Sequence, residues 1–183
     1  MDTERILVTY ATRTGSTRGV AEAIGAALAE DGMVVDAMPM QDVDDLTPYT
    51  AIVAGSAIQS KRWLPEALAF VRTHQGALSQ RPFAAFLVCM TLAMRGSEAY
   101  RDAVSGFLSP VHALVRPVSE GLFTGALDIA RIPSWTERLM FQISVWSGVW
   151  SEGDHRDWDA IRAWARDLRP RLTRATQARA NTP

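Results

Sequence analysis

The chain alternates between short unbroken apolar runs and longer stretches in which apolar residues recur with helical spacing. Ile6 to Ala11 is the first run, followed by hydroxyl-rich turn residues up to Thr17. Val20, Ile24, Ala27 and Leu28 then share one helix face, and Gly32 supplies a C-terminal stop. A second strand is expected over Met33–Met38, closed by Pro39. A third is expected over Tyr49–Gly55, whose continuous apolar character suits a strand covered on both faces. Between them Gln41–Pro48 reads as an acidic, solvent-facing connection. Pro65 opens a helix carrying Leu68, Phe70 and Val71, with Gly76 at its end. Phe83–Met90 is the most apolar strand, and Glu98–Leu108 a helix with Tyr100, Val104, Phe107 and Leu108 on its apolar side. Gly121–Leu127 completes the strands, and Trp158, Ile161, Ala165 and Leu168 mark a last helix with Trp164 beside it.

This rhythm predicts an α/β fold: a doubly wound, five-stranded parallel sheet in the order 2-1-3-4-5. Residues 1–172 form one domain, with an insertion over about 128–156, and residues 173–183 are a tail expected to fray. Ligands of such sheets lie beyond the strand C-termini where the strand order reverses. The reversal brings the hydroxyl loop, Ser56–Trp63 and Thr91–Gly96 to one rim.

The inserted segment has a helical centre, Trp135–Trp150, started by Pro133 or Ser134 and ended by Gly148. Leu139, Ile143 and Trp146 share a face with Met140 close by, and Phe141 and Val145 widen the apolar arc. Three roles stand open for it: core packing on the sheet edge, a homodimer interface, or peripheral docking against a membrane or a lipid-soluble substrate. Tryptophan favours membrane interfaces, yet the stretch lacks the lysine-rich polar face of a strong interfacial helix. Arg131 and Arg138 nearby suit lipid phosphates or a substrate carboxylate, or plain solvation.

Composition narrows the function. With 48% hydrophobic and 21% charged residues the chain is globular, and its net charge of −1 argues against a nucleic-acid partner. The first sixty residues are acid-rich and the stretch beyond His155 is rich in arginine. A single cysteine, Cys89, excludes an internal disulfide, and His74, His112 and His155 have no metal-ligand spacing, so no metal is expected. Asp42, Asp44 and Asp45 lack the glycine and closing glutamate of a calcium loop. Met-Asp-Thr-Glu-Arg has the wrong sign for a signal peptide, so none is expected, and no apolar run approaches the roughly 18 residues of a spanning helix. The expected location is the cytoplasm, with a peripheral contact at the inner face of the membrane left open.

The chemistry concentrates in the loop after the first strand. Thr12, Arg13, Thr14, Gly15, Ser16 and Thr17 join a strand to a helix N-terminus, where loop amides and the helix dipole favour an anion. A dinucleotide fingerprint is missing, and the chain's one lysine, Lys61, lies far from any Gly-Lys-Ser/Thr motif. Thr12-x-Thr14-Gly15-x-Thr17 resembles the phosphate loop of the flavodoxin family, which implies FMN. The alternative is an ordinary strand-to-helix turn with Thr17 as N-cap. A flat isoalloxazine ring needs apolar walls and backbone groups along its edge. Ser56, Ala57, Ile58 and Trp63 are expected on one side, with Trp63 either stacking on the ring or capping the next helix. Thr91, Leu92, Ala93 and Met94 are expected on the other. No acid/base pair stands out, and Ser56 lacks a hydrolase elbow.

Thr12–Thr17, Tyr49–Ile58, Gly125-Ala126-Leu127, the Trp135–Gly148 helix, and Trp158 opening the last helix occur in an order that resembles the menaquinone-dependent protoporphyrinogen dehydrogenases. The resemblance implies a flavodoxin-like fold, FMN, oxidation of a porphyrinogen or similar small hydrophobic substrate, and electron delivery to a quinone. Two stretches depart from that pattern. The region after the fourth strand offers only Arg95 and Arg101 for substrate carboxylates, and Gln59, Ser60, Lys61 and Arg62 replace a tyrosine-bearing loop. Two other functions fit the residues: a flavodoxin-type electron carrier docking to redox partner proteins through its acidic first third, or a flavin-free binding module.

Overall fold

The computed structural model describes residues 4–180 apart from Asp31, Arg95, Pro133 and Val149, with side chains described as far as Thr173. Arg95, expected near a substrate, and Pro133, one of two expected helix starts, therefore lie outside the described residues. The chain begins with β1 (Arg5–Ala11), α1 (Ser16–Ala29) and β2 (Val34–Pro39). Then follow β3 (Ala51–Gln59), a short β4 (Arg62–Trp63), α2 (Pro65–Thr73), α3 (Gln75–Ser79) and β5 (Phe83–Val88). Beyond two 3-10 turns come α4 (Arg101–Ser105), α5 (Ser109–His112), β6 (Ser119–Phe123) and β7 (Ala126–Leu127). The chain closes with α6 (Trp135–Trp146), β8 (Gly153–Asp154) and α7 (Trp158–Ala180).

Five parallel strands run β2-β1-β3-β5-β6, which is the expected 2-1-3-4-5 order. The central strands are buried on both faces because successive side chains feed opposite layers. Leu7, Ile52, Ala54, Ala85 and Leu87 join a cluster with Leu64, Val71, Val104 and Leu108 on one side. Ile6, Val8, Val53, Ala84 and Phe86 meet Val20, Ile24 and Leu28 of α1 and Ile161, Ala165 and Leu168 of α7 on the other. Trp164 closes this second layer with edge-on contacts to Phe86 and Phe123. Phe86 reaches across to β3 only because residue 55 is glycine: a β-carbon there would lie 2.0 Å from its ring.

Several boundaries differ from expectation. Ser56–Trp63 is not an open loop. The third strand continues to Gln59, reverses through Ser60 and Lys61 at φ 51° and 61°, and pairs antiparallel with β4 through Ile58↔Trp63. The helix expected over Glu98–Leu108 is a chain of short pieces, and Pro110 stands in the first turn of α5, where its missing N–H cannot continue a preceding ladder. Tyr100, expected on the buried side, is exposed. Gly76 falls inside α3, and the turn comes earlier, at His74. The run expected as one strand over Gly121–Leu127 splits: β6 ends at Phe123, and β7 leaves the sheet to pair with β8. The backbone of α7 stays helical to Ala180, past Thr173.

Candidate functional site

At the end of β1 the loop Thr12–Gly15 is held by its own residues. Gly15 adopts φ 91° and its N–H donates to Thr12 Oγ1 at 3.1 Å, which turns the chain sharply into α1. No side chain caps this helix, and no acidic residue stands in its first turn. Its leading amides therefore keep their hydrogen-bonding capacity and the dipole is not offset. Thr17 is not the N-cap. It lies inside the first turn, fully buried, with an Oγ1 that has no partner. A buried hydroxyl left unmatched is costly, so an uncapped terminus beside one fits a site completed by a hydrogen-bonding ligand. Arg13 is paired with Glu66 of α2 at 2.9 Å.

Thr14, Gly15 and Ser16 form one wall of a cavity of about 350 Å³. The stretch from Ala126 to Arg156 forms the other wall, through Leu127, Asp128, Arg131, Asp154 and Arg156 among others. Arg156 anchors it. The guanidinium grips both oxygens of Asp154 at 2.7 Å, donates to the Ser16 carbonyl at 3.3 Å and lies over the Trp158 ring. That grip holds the Asp154 carboxyl below the usual carboxylate range. Gly19 makes room for it: a β-carbon there would lie 2.5 Å from Arg156 Nη1. His155, expected as a solvated loop residue, is half-buried and pinned, its N–H donating to the Gly125 carbonyl at 3.1 Å.

Sequence reasoning missed Arg156 and Asp154 as parts of the site. The available signal was a charged Asp-His-Arg run immediately before the last helix. Nothing in it revealed contact with a loop 140 residues away. Arg138, considered for lipid phosphates or a substrate carboxylate, instead donates to the carbonyls of Ile132 and Ala130.

Residue match decides the family. The flavodoxin domain family matches residues 7–155. The chain belongs to that family. Among solved structures, a short-chain flavodoxin associated with a non-canonical PDU bacterial microcompartment is 14% identical, with a TM-score of 0.58 over 94% of this chain and 99% of that one. A flavodoxin from the domain Archaea is 16% identical, with a TM-score of 0.55 over 92% of this chain and 99% of that one. Rubredoxin oxygen:oxidoreductase from the anaerobe Desulfovibrio gigas is 12% identical at a TM-score of 0.54. The match covers 99% of this chain and only 39% of that longer one. At these identities the likeness is one of fold. No curated protein sequence matches.

On this flavodoxin domain the other expected rim residues are placed unevenly. Ser56 is fully buried; its hydroxyl donates to the Ala57 carbonyl and accepts from Leu64 N–H at 3.0 Å, so it is spent inside the fold. Trp63 does not offer a stacking face. It is 1% exposed and packed among Leu64, Phe70 and Leu87, because the β3–β4 hairpin folds it inward. Ala57 and Ile58 are half-buried at the tip of β3, as are Thr91, Ala93 and Met94 in and after the 3-10 turn following β5. Leu92 is buried in the core beneath that turn. A second cavity of about 480 Å³ lies on the Thr12 side of the loop, between Tyr10, Met40, Phe70 and His74. Neither cavity is lined by the Ser56–Trp63 or Thr91–Met94 segments.

The inserted α6 forms as expected, begun by Ser134, whose hydroxyl accepts from Glu137 N–H. None of its residues is buried. Phe141 and Val145 rest on Leu127, Ile129 and Ile132. The opposite face carries Trp135, Leu139, Met140, Ile143 and Trp146, exposed by 75, 52, 57, 58 and 90%. Core packing therefore accounts for the minor apolar arc only. No helix among the described residues is long and apolar enough to cross a membrane.

Proposed function

We propose that this flavodoxin-domain protein holds FMN by its phosphate at the hydroxyl loop and works as an oxidoreductase. In this reading it moves reducing equivalents between a small hydrophobic substrate, a porphyrinogen or a similar reduced compound, and a quinone. The observation that carries it is the uncapped start of α1 beside the unpartnered Thr17 hydroxyl. FMN, when bound, supplies the redox chemistry, so no acid or base side chain is required of the protein. Thr14, Ser16 and the first amides of α1 bind the phosphate. Ile58 and Met94 offer apolar surface for the ring, with Trp63 packed out of reach and supporting the hairpin from within. The exposed face of α6 supports a lipid-soluble acceptor: an apolar helix at the surface meets a quinone where the quinone resides, by peripheral contact at the inner face of the membrane.

A second reading is a flavodoxin-type carrier. The acid-rich first sixty residues favour it, since charged docking surfaces steer redox partners. There α6 would face a partner protein or a second copy of the chain. An absorbance spectrum of the purified protein begins the test. A colourless protein that cannot be reconstituted with FMN would sink both readings. Turnover with menadione, and flotation with liposomes that is lost on deleting residues 135–150, supports the enzyme. Failure with every quinone, together with rapid electron exchange with a redox protein, supports the carrier. A mass that doubles with concentration identifies the homodimer.

A further inference from the structure

We infer that Arg131 is a phosphate-binding residue that the insertion delivers to the hydroxyl loop. The site would then select a terminal phosphate monoester by charge as well as by hydroxyls and amides. This rests on the FMN reading above and adds a residue from outside the loop. Arg131 Nη1 lies 3.8 Å from the position a β-carbon would take on Gly15, so the guanidinium hangs over the loop. It lines the same cavity as Thr14 and Ser16, from the opposite wall.

Its donors are the ones left free there. Arg131 is tethered through Nε to Asp128 Oδ2 at 3.0 Å, and no described residue is seen to bind its two terminal nitrogens. The side chain is 68% exposed. Arg156, the other cation of the cavity, is spent on Asp154 and the Ser16 carbonyl and is only 18% exposed. The acidic groups of the cavity are engaged too. Asp128 Oδ1 accepts from Ala130 N–H, Glu152 from Ile129 N–H, and Asp154 from Arg156. Asp128 thus fixes both the backbone turn that carries Arg131 and the inner edge of its guanidinium. The outer edge is a planar fork facing the loop, the shape that matches two phosphate oxygens at once. Arg156 does the complementary work of locking the insertion onto α1.

The test is a flavin-fluorescence titration of the apoprotein with FMN and with riboflavin, which lacks the phosphate, at low and high salt. Wild type is compared with Arg131→Gln and Arg131→Lys. The glutamine variant is expected to bind FMN about tenfold more weakly, the scale of one hydrogen bond to a charged group. Its riboflavin affinity and its circular dichroism should match wild type. Salt should weaken FMN binding more steeply in wild type than in Arg131→Gln, and Arg131→Lys should fall between them. Equal FMN affinity in wild type and Arg131→Gln overturns the assignment while leaving the FMN reading standing. So does an equal loss for both flavins, which would mean packing. Wild-type protein that binds neither flavin overturns the FMN reading and this inference together.

Discussion

Thr17 and Trp63 are both enclosed, and each holds one polar atom with no partner. They nevertheless predict opposite experiments. Replacing Thr17 by Val keeps the shape and removes a buried hydroxyl that has no partner within the fold. The apoprotein should be as stable or more stable by about 1 kcal/mol in urea, while FMN affinity falls by about 1–2 kcal/mol. Thr14→Ala, at a half-buried wall position, should lower affinity by a similar 1–2 kcal/mol or so with little effect on the apoprotein. Trp63 is a packing residue, so Trp63→Ala should cost about 3–5 kcal/mol of folding free energy. Trp63→Phe should be far milder and leave the spectrum of a bound flavin unchanged; a shifted spectrum would restore Trp63 to the ring. The sequence could not show which role Trp63 takes. It follows the polar run Gln-Ser-Lys-Arg and looks like a surface residue. What buries it is a reversal through two non-glycine residues at positive φ, a conformation their identities do not advertise.

Elements were readable where one face or both had to be covered. Ile52–Ala54 and Phe83–Val88 read as strands covered on both faces, and both strands lie inside the sheet with a neighbour on each side. The insertion shows where periodicity stops informing. Its spacing marks an apolar helix, and α6 is one, but the choice of arc to bury belongs to Leu127, Ile129 and Ile132, which lie outside the helix. The broader arc, with Leu139, Ile143 and Trp146, faces outward. Leu139→Gln and Ile143→Gln should therefore each change the melting free energy by no more than about 0.5 kcal/mol, as at ordinary surface sites. Phe141→Ala should cost several times that. Ser134→Ala, which removes the cap on Glu137 N–H, should cost about 1 kcal/mol and lower helicity by circular dichroism. A large loss from the outward pair would mean that α6 packs the other way round.

Across the whole molecule, charge pairs tie the outer elements together. Arg5 of β1 holds the Asp36 carboxyl of β2 below its usual range, and Arg166 of α7 does the same for Glu30 beside α1. Asp45 is lowered by the Thr47 hydroxyl and Asp154 by Arg156. Depressed carboxyls add stability that is present above the unfolded value, about 4, and is lost as pH falls through the folded values. Burial raises the Tyr10 and Tyr49 phenols, whose contribution is present below about 10 and lost as pH rises through their folded values. Urea midpoints should thus be flat through neutrality and fall at both extremes, and Asp36→Asn should soften the acid limb. The Arg5–Asp36 and Arg166–Glu30 pairs were illegible in the sequence because their partners are 31 and 136 residues apart. The ends of the insertion, by contrast, touch: Gly125 and His155 share a backbone hydrogen bond, with β7 and β8 laddered just beyond. Chain that leaves and returns at one point can be exchanged at little cost in loop closure, which grows only slowly with length. Replacing α6 alone with a fluorescent reporter, which leaves Arg131 and Asp154 in place beside the hydroxyl loop, would turn the proposed flavin site into a gauge of flavin supply.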